Sequence, residues 1–313
     1  MKYLILGGNG FIGRHLARAL VSAGHKVRIL SRTGRAKKNP LDLNENMEWM
    51  SGDFTKEVDL ILALKNIDAV VHLAGTTLPS SSNLNIEYDI QSNLVGTVKL
   101  LRLGKGAGIQ KVVFASSGGT VYGNPISLPI TERHPTNPTC SYGITKLAIE
   151  KYIHLFHELE GLDYQILRIA NPYGPGQNPL QGVGAIVNFT WKIMNNDPIN
   201  IWGDGSIKRD YLYIDDLVTA LIKALEAAVN EGGNIYNIGS GVSYSLNEII
   251  AAIEAEVGKK AIVSYEAPRA FDVNENRLEI SAARSYFLWE PKVNLSEGIA
   301  KTINYLKSAY END

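Results

Sequence analysis

Cysteine is almost missing from this chain. Its 313 residues include one, Cys140, which excludes an internal disulfide and any metal site assembled from several thiolates. A surplus of either charge is missing too: 31 basic residues stand against 32 acidic ones, and the densest basic stretch is Arg35-Ala36-Lys37-Lys38. Such a balance gives no electrostatic footprint for nucleic acid or an anionic membrane surface. No apolar run approaches the ~20 residues that cross a bilayer. The opening Lys2-Tyr3-Leu4-Ile5-Leu6 breaks into glycine before it could serve as a signal peptide, so a cytoplasmic protein is expected, with no metal, nucleic-acid or membrane partner. No internal repeat or low-complexity tract interrupts the chain, and its length suffices for a large core and two lobes.

What the sequence does have is short apolar runs alternating with helical periods. Tyr3-Leu4-Ile5-Leu6 predicts a strand that ends in Gly7-Gly8-Asn9-Gly10-Phe11-Ile12-Gly13, after which Ile12, Leu16, Ala19 and Leu20 recur at helical spacing. Strand, glycine turn and helix in that order let the backbone approach a pyrophosphate, whose charge the helix N terminus favours. Gly7, Gly10, Phe11, Ile12 and Gly13 are therefore the expected dinucleotide cradle. A second strand, Lys26 to Leu30, ends at Ser31-Arg32, where an acid would hold ribose hydroxyls and an arginine would accept a 2′-phosphate. With no acid at Ser31 and a basic series running from Arg32, both NAD and NADP stay open.

A third strand, Met47 to Met50, leads to Asp53-Phe54, assigned to the cofactor; Asp53 is a candidate for the adenine amino group and, not exclusively, for the cap of the helix through Leu60, Ile61 and Leu64. Asp68 to Gly75 reads as a buried parallel strand with a core histidine, His72, whose small-residue end at Leu73, Ala74 and Gly75 faces the cofactor. The polar loop Thr76 to Asn85 is expected over the substrate. Ile90 to Leu103 predicts a helix with Leu94, Val98 and Leu101 on its apolar stripe and Asn93, a cofactor candidate, interrupting it. Lys111 to Ala115 is a fifth strand running into Ser116-Ser117, and a hydroxyl at that sheet edge, Ser117, is a candidate partner for a substrate oxygen.

Ser141-Tyr142-Gly143-Ile144-Thr145-Lys146 opens an apolar-patterned helix, which puts Tyr142 and Lys146 one turn apart with Cβ atoms roughly 5–6 Å from each other. A tyrosine ordinarily ionises near pH ~10, and a fixed ammonium favours the phenolate, so the pair predicts a proton acceptor for an alcohol that loses hydride. Cys140, two residues earlier, is expected as a small buried turn residue.

The glycine turn, Ser116-Ser117 and Tyr142/Lys146, in this order, closely resemble the extended short-chain dehydrogenase/reductase family, in particular its UDP-sugar 4-epimerases. Further matches are Thr131-Glu132, Arg168 to Gly176, Trp202-Gly203-Asp204-Gly205, Arg209-Asp210-Tyr211, Asp215-Asp216 and Pro268-Arg269. The resemblance implies a doubly wound parallel α/β Rossmann sheet with a smaller, interleaved substrate lobe: residues 1–170 bind the dinucleotide, residues 171–313 form the lobe, and the chain returns to the first domain at about 209–238. It implies Ser117, Tyr142 and Lys146 as the catalytic trio, and Asn171, Arg209 and Arg269 on the diphosphate of a nucleotide sugar. Dehydratases of the family carry an Asp-Glu pair where this chain reads Gly118-Gly119-Thr120, which argues against water elimination. Two departures are Ser31-Arg32 in place of the usual acid and Ala270-Phe271 ahead of Asp272.

The implied activity is 4-epimerisation. A 4-ketoreductase using NADPH would employ the same trio, and a non-catalytic NAD(P)-binding scaffold would need no reactive tyrosine. The resemblance also implies a homodimer paired through the helix after Asn85 and the Tyr142 helix, where Leu147, Ile149, Ile153, Leu155 and Phe156 exceed one core-facing stripe.

Overall fold

The apolar runs form strands β1 (Lys2–Leu6), β2 (Lys26–Ser31), β3 (Met47–Ser51), β4 (Ala69–His72), β5 (Lys111–Ser117) and β6 (Asp163–Ile169). Between them lie helices α1 (Phe11–Ser22), α2 (Glu57–Ala63), α3 (Ile86–Asp89), α4 (Gly96–Gly106) and α5 (Ser141–Glu160). Then follow β7 (Asn171–Tyr173), α6 (Ala185–Asn195), β8 (Pro198–Trp202), β9 (Lys208–Tyr213), α7 (Ile214–Glu226), β10 (Ile235–Ile238), β11 (Ser243–Ser245), α8 (Leu246–Val257), β12 (Ile262–Glu266), β13 (Glu275–Asn276), α9 (Ser281–Phe287) and α10 (Leu295–Tyr310). The structure is a computed structural model that describes residues 1–33, 44–181, 184–230, 233–268 and 273–310.

Seven strands make the main sheet in the order β10-β6-β5-β4-β1-β2-β3. β1 pairs in parallel with both β2 and β4, so the winding reverses there, at the switch point where doubly wound sheets bind ligands. This is the expected α/β fold. Its core gathers Leu4, Val70, Val112 and Phe114 from the strands with Leu100 of α4 and Ile149 and Ile153 of α5. Each such side chain contributes roughly 1.5–3 kcal/mol by leaving water.

The chain divides into two compact units, Met1–Gly123 with Pro135–Arg168 and Val218–Tyr236, and Asn124–His134 with Ile169–Leu217 and Asn237–Asp313. In the second unit β9 is the organiser: β11 pairs it antiparallel, and β7 and β13 pair it in parallel. That pairing keeps Arg209 to Tyr213 in the second unit, so the passage back begins within α7 rather than near residue 209. The carboxylate of Asp210, fully buried, accepts from Ser240, Gly241 and Leu278 and ties these segments together.

Two helices differ from expectation. The helix placed at Ile90 starts at Ile86, because Asn85 accepts from the Tyr88 amide as a cap, and Ile90–Val95 forms a π-helical turn before α4. The extra residue rotates the inward face. Ser92, Asn93, Gly96, Thr97, Leu100 and Leu101 are buried, while Leu94 and Val98 of the expected stripe are half-buried. On α5, Ile149 and Ile153 belong to the core, and the outward apolar residues are Ile144, Tyr152, Leu155 and Leu159, with Leu147 and Phe156 half-buried. Gly161, at φ 66°, ends α5 in the left-handed conformation that glycine adopts most easily.

Candidate active site

The glycine turn joins β1 to α1. Gly7 has φ +81°, and a Cβ on Gly13 would lie 2.4 Å from the Gly7 carbonyl oxygen, so only glycine lets the turn close against the helix. No side chain caps α1, which leaves its first-turn amides for an anion, as a dinucleotide pyrophosphate requires. A Cβ on Gly7 would also meet the Ala74 amide at 2.9 Å, which puts the turn directly beside the end of β4 at Leu73 and Ala74. At the end of β2, Ser31 is half-buried and Arg32 exposed. Asn9, unremarked in the sequence, bridges this edge: its Oδ1 accepts from Arg14 Nη2 at 2.6 Å and its Nδ2 donates to Thr33 Oγ1 at 2.9 Å. Arg35, Lys37 and Lys38 lie outside the described residues.

Asp53 does not cap α2. Its Oδ1 accepts from the Thr55 amide and hydroxyl, an Asx turn ahead of the helix, and Lys56 occupies the cap position. Burial would raise this carboxyl, but the Thr55 bonds and the charges of Arg32 and Lys56 hold it below the usual range. Phe54 packs on Gly96 and His72. His72 is the expected core histidine, bonded through Nε2 to Thr97 Oγ1 at 2.8 Å; burial, then the Lys146 charge, push it down to about 3, so it is neutral.

Tyr142 and Lys146 stand one turn apart at the head of α5, as the spacing predicts. Lys146 is buried, and its Nζ donates to the Ala115 carbonyl of β5 at 2.8 Å, 5.6 Å from the Tyr142 ring centroid and 4.6 Å from that of Phe114. That bond locks the helix head to the strand whose last residue is Ser117. The turn after Ser117 also meets α5 directly, since a Cβ on Gly143 would lie 2.9 Å from the Thr120 carbonyl oxygen. The first unit therefore brings Ser117, Tyr142 and Lys146 to one sheet edge.

The electrostatics correct one expectation. Tyr142 is not brought down by Lys146 here: burial pushes its phenol up to about 12, with Cys140 and Asp89 adding to the rise. Burial also brings Lys146 down to about 8, against the pull of Glu150 and then Asp89. Desolvation thus acts on both members of the pair, raising the phenol and lowering the ammonium. Cys140, expected buried, is half-buried at the cap position of α5.

Sequence reasoning passed over two buried carboxylates near this pair. Glu150, one turn beyond Lys146, takes two bonds from Arg168, Nη2 to Oε2 at 2.7 Å and Nε to Oε1 at 3.1 Å, and one from the Ser116 hydroxyl. Asp89 binds Ser141 and Thr145 of α5. The available signal was a charge on an apolar face: Lys146, Glu150 and Ile153 share one side of α5. Asn93 is spent internally, its Oδ1 on the Thr76 amide and its Nδ2 on Asp89 and Thr77.

In the second unit, Asn171, Asn188, Phe189, Lys192, Trp202 and Arg209 line a cavity of about 550 Å³. Asn171 Nδ2 donates to the Asp210 carbonyl at 2.8 Å, and Arg209 Nη1 to the Lys208 and Val273 carbonyls at 2.9 and 2.6 Å. Sequence reasoning found two of these walls and missed Asn188, Phe189 and Lys192 of α6, whose pattern is simply that of an amphipathic helix. Arg269 lies outside the described residues, as do Ala270, Phe271 and Asp272. Among the described residues no cluster of metal-ligating side chains occurs, and no helix is long and apolar enough to cross a membrane.

Comparison with known proteins shows the family and the fold. A UDP-glucose 4-epimerase of Mycolicibacterium smegmatis is 36% identical over 313 residues, covering 98% of this chain and 99% of the relative. A dTDP-4-dehydro-6-deoxyglucose reductase of Escherichia coli is 38% identical, covering 97% of both chains. The crystal structure of a Thermus thermophilus UDP-glucose 4-epimerase complexed with NAD superposes with a TM-score of 0.90 at 29% identity, covering 99% of this chain and all of that one. The model of the NAD-dependent epimerase/dehydratase family matches residues 3–239, and the chain belongs to that family.

Proposed function

We propose that this chain is a nucleotide-sugar 4-epimerase acting on a UDP-hexose or UDP-N-acetylhexosamine with NAD. The observation that carries the reading is the Tyr142/Lys146 pair at the head of α5, fixed by the Lys146 bond to β5 two residues before Ser117. Tyr142 takes the proton of the sugar 4-hydroxyl, Ser117 holds that oxygen, and Lys146 supports the phenolate. Bound NAD would supply a reversible hydride acceptor for carbon 4 and a positive charge that opposes the rise burial imposes on Tyr142. The hydride that leaves carbon 4 returns to the opposite face of the keto sugar, and Tyr142 gives its proton back to the oxygen. The balance is a change of configuration with no net cofactor consumption.

The chain's own residues divide this work. Gly7, Gly10, Phe11, Ile12 and Gly13 receive the pyrophosphate, Ser31 and Arg32 the ribose, Asp53 and Phe54 the adenine, while Leu73, Ala74 and Gly75 wall the nicotinamide side and Asn93 holds the neighbouring loop in place. Asn171, Arg209 and Arg269 grip the substrate diphosphate, since guanidinium forks match its paired oxygens. Purified protein should interconvert a UDP-hexose or an N-acetylated UDP-hexosamine with its 4-epimer; failure on all of them, with NAD added, refutes the assignment.

The relationship to the Escherichia coli reductase, with Arg32 at the ribose position, favours a second reading, a nucleotide-sugar 4-ketoreductase using NADPH. Stoichiometry separates the two, because the reductase consumes one NADPH per 4-keto sugar and the epimerase turns over without added reductant. We further propose a homodimer paired through α3 to α5. The support is the exposed apolar row Ile144, Tyr152, Leu155 and Leu159 on α5, with Ile86 and Ile90 exposed at the start of the neighbouring helix.

A further inference from the structure

Asp89 is a carboxylate with no exposed surface at the end of α3. A buried charge is tolerable only when hydrogen bonds replace its water. Here both oxygens are doubly served: Oδ1 accepts from Thr77 Oγ1 and from Asn93 Nδ2 at 2.9 Å, and Oδ2 from Ser141 Oγ at 2.6 Å and Thr145 Oγ1 at 2.8 Å. The donors come from three places: the loop after β4, the π-helical turn, and the first turn of α5. Burial would raise the carboxyl, but the bonds from Ser141, Thr77, Thr145 and Asn93 outweigh it and hold it below the ordinary range, so it is ionised.

Ser141 and Thr145 bracket Tyr142, and Thr145 directly precedes Lys146. The same contact zone is reinforced by Asn93 Oδ1 on the Thr76 amide at 3.0 Å and Asn83 Oδ1 on the Ser141 amide at 2.9 Å. We propose that Asp89 is a positioning residue: it fixes the first turn of α5 against the loop that follows β4, and it lends that turn a permanent negative charge facing Tyr142 and Lys146. The inference rests on the reading of Tyr142 as the base and of residues 73–75 as the cofactor wall. The other groups that face the pair are Cys140 ahead of α5, Glu150 on α5 and the neutral His72 of β4.

Geometry and charge can be separated. In Asp89→Asn the amide oxygen still accepts from Thr77 and Asn93, while the NH2 donates to Ser141 and Thr145, whose hydroxyls rotate to accept. The bonds survive and the charge is lost. Asp89→Leu removes both.

The test uses the full chain loaded with NAD, and it titrates tyrosinate by ultraviolet absorbance with the Tyr142→Phe protein subtracted in each background. Loss of a nearby negative charge favours the phenolate, so Asp89→Asn should move the Tyr142 component to lower pH by roughly one unit. It should also keep the thermal upshift that NAD confers, whereas Asp89→Leu should lose most of that upshift. A Tyr142 component at an unchanged or higher pH in Asp89→Asn overturns the charge role, and a full NAD upshift in Asp89→Leu overturns the positioning role. Should Asp89→Leu not fold, the double variant Ser141→Ala/Thr145→Val takes its place with the same expectation. None of these readouts needs the sugar substrate, so they are independent of the epimerase assay. Full 4-epimerase activity in Tyr142→Phe would instead sink the reading of Tyr142 as the base.

Discussion

Around Tyr142 the polar groups are buried and committed: Lys146 to a strand carbonyl, Glu150 to Arg168 and Ser116, Asp89 to four donors. The second unit instead opens a cavity of about 550 Å³ among Asn188, Phe189, Lys192, Trp202 and Arg209, and there Arg209 donates to backbone carbonyls, those of Lys208 and Val273. A proton acceptor needs its geometry fixed before the substrate arrives, because catalysis rewards placement to within a fraction of an ångström. Recognition of a diphosphate needs positive charge and donors, and tolerates side chains that settle on binding. The two regions should therefore fail differently, one in rate or stability and the other in affinity.

The largest effect is expected at Tyr142. Replacing it with Phe removes the hydroxyl and little packing, and should lower turnover by roughly 10²–10⁴-fold while leaving NAD binding nearly intact. Rate and cofactor affinity measured on the same preparation check this, and near-wild-type turnover would remove Tyr142 from the chemistry. Glu150→Ala should instead strike stability. It leaves the Arg168 guanidinium buried without its carboxylate, which costs about 3–5 kcal/mol, read as the shift of a urea midpoint. The paired change Glu150→Leu/Arg168→Met should recover most of that loss, since a buried pair is dispensable when both charges go. If Glu150→Ala were neutral, the first unit would not be the rigid frame described.

Arg209→Ala should behave in the second manner. Losing one charge-assisted contact to a diphosphate costs about 1.5–3 kcal/mol of nucleotide-sugar affinity, with a small effect on folding. Calorimetric titration with UDP measures it directly. A large loss of stability with unchanged UDP affinity would mean that Arg209 serves the Lys208 and Val273 carbonyls and not the ligand.

The difference between the regions also explains what could be read in advance. β1, the glycine turn and the Tyr142/Lys146 spacing are local patterns: period, glycine position and a four-residue offset fix them within one segment. The π-helical turn was not legible. Its inserted residue is stabilised by Thr76, Thr77 and Asp89, which come from other segments or act across the turn, and it moves Leu94 and Val98 off the face that period alone assigns. The depth of Tyr142 was likewise hidden, since burial is a property of everything packed around it, and burial reversed the expected direction of its shift. In the second unit the strands β7, β9, β11 and β13 are two to six residues long and pair across the chain, so no periodicity could have joined them.

The smallest effect on the folded chain is expected from the outer face of α5, and it tests whether that face belongs to neither class. Leu159 is 73% exposed and Leu155 44%, so a charge at Leu159 meets water in a lone chain and should change its stability by no more than about 0.5 kcal/mol. If two copies pair through this helix, the same charge is buried against apolar residues, and pairing becomes unfavourable by several times that amount. Light scattering at micromolar concentration should thus give twice the chain mass for the parent protein and one chain mass for Leu159→Glu. Tyr142 lies on the same helix more than four turns away, held by Asp89 and Lys146 within its own chain, so the monomer should keep its NAD upshift and lose turnover only modestly. A parent protein that scatters as a single chain would reject the dimer. A Leu159→Glu monomer that neither binds NAD nor turns over would show that the head of α5 is not held by its own chain alone.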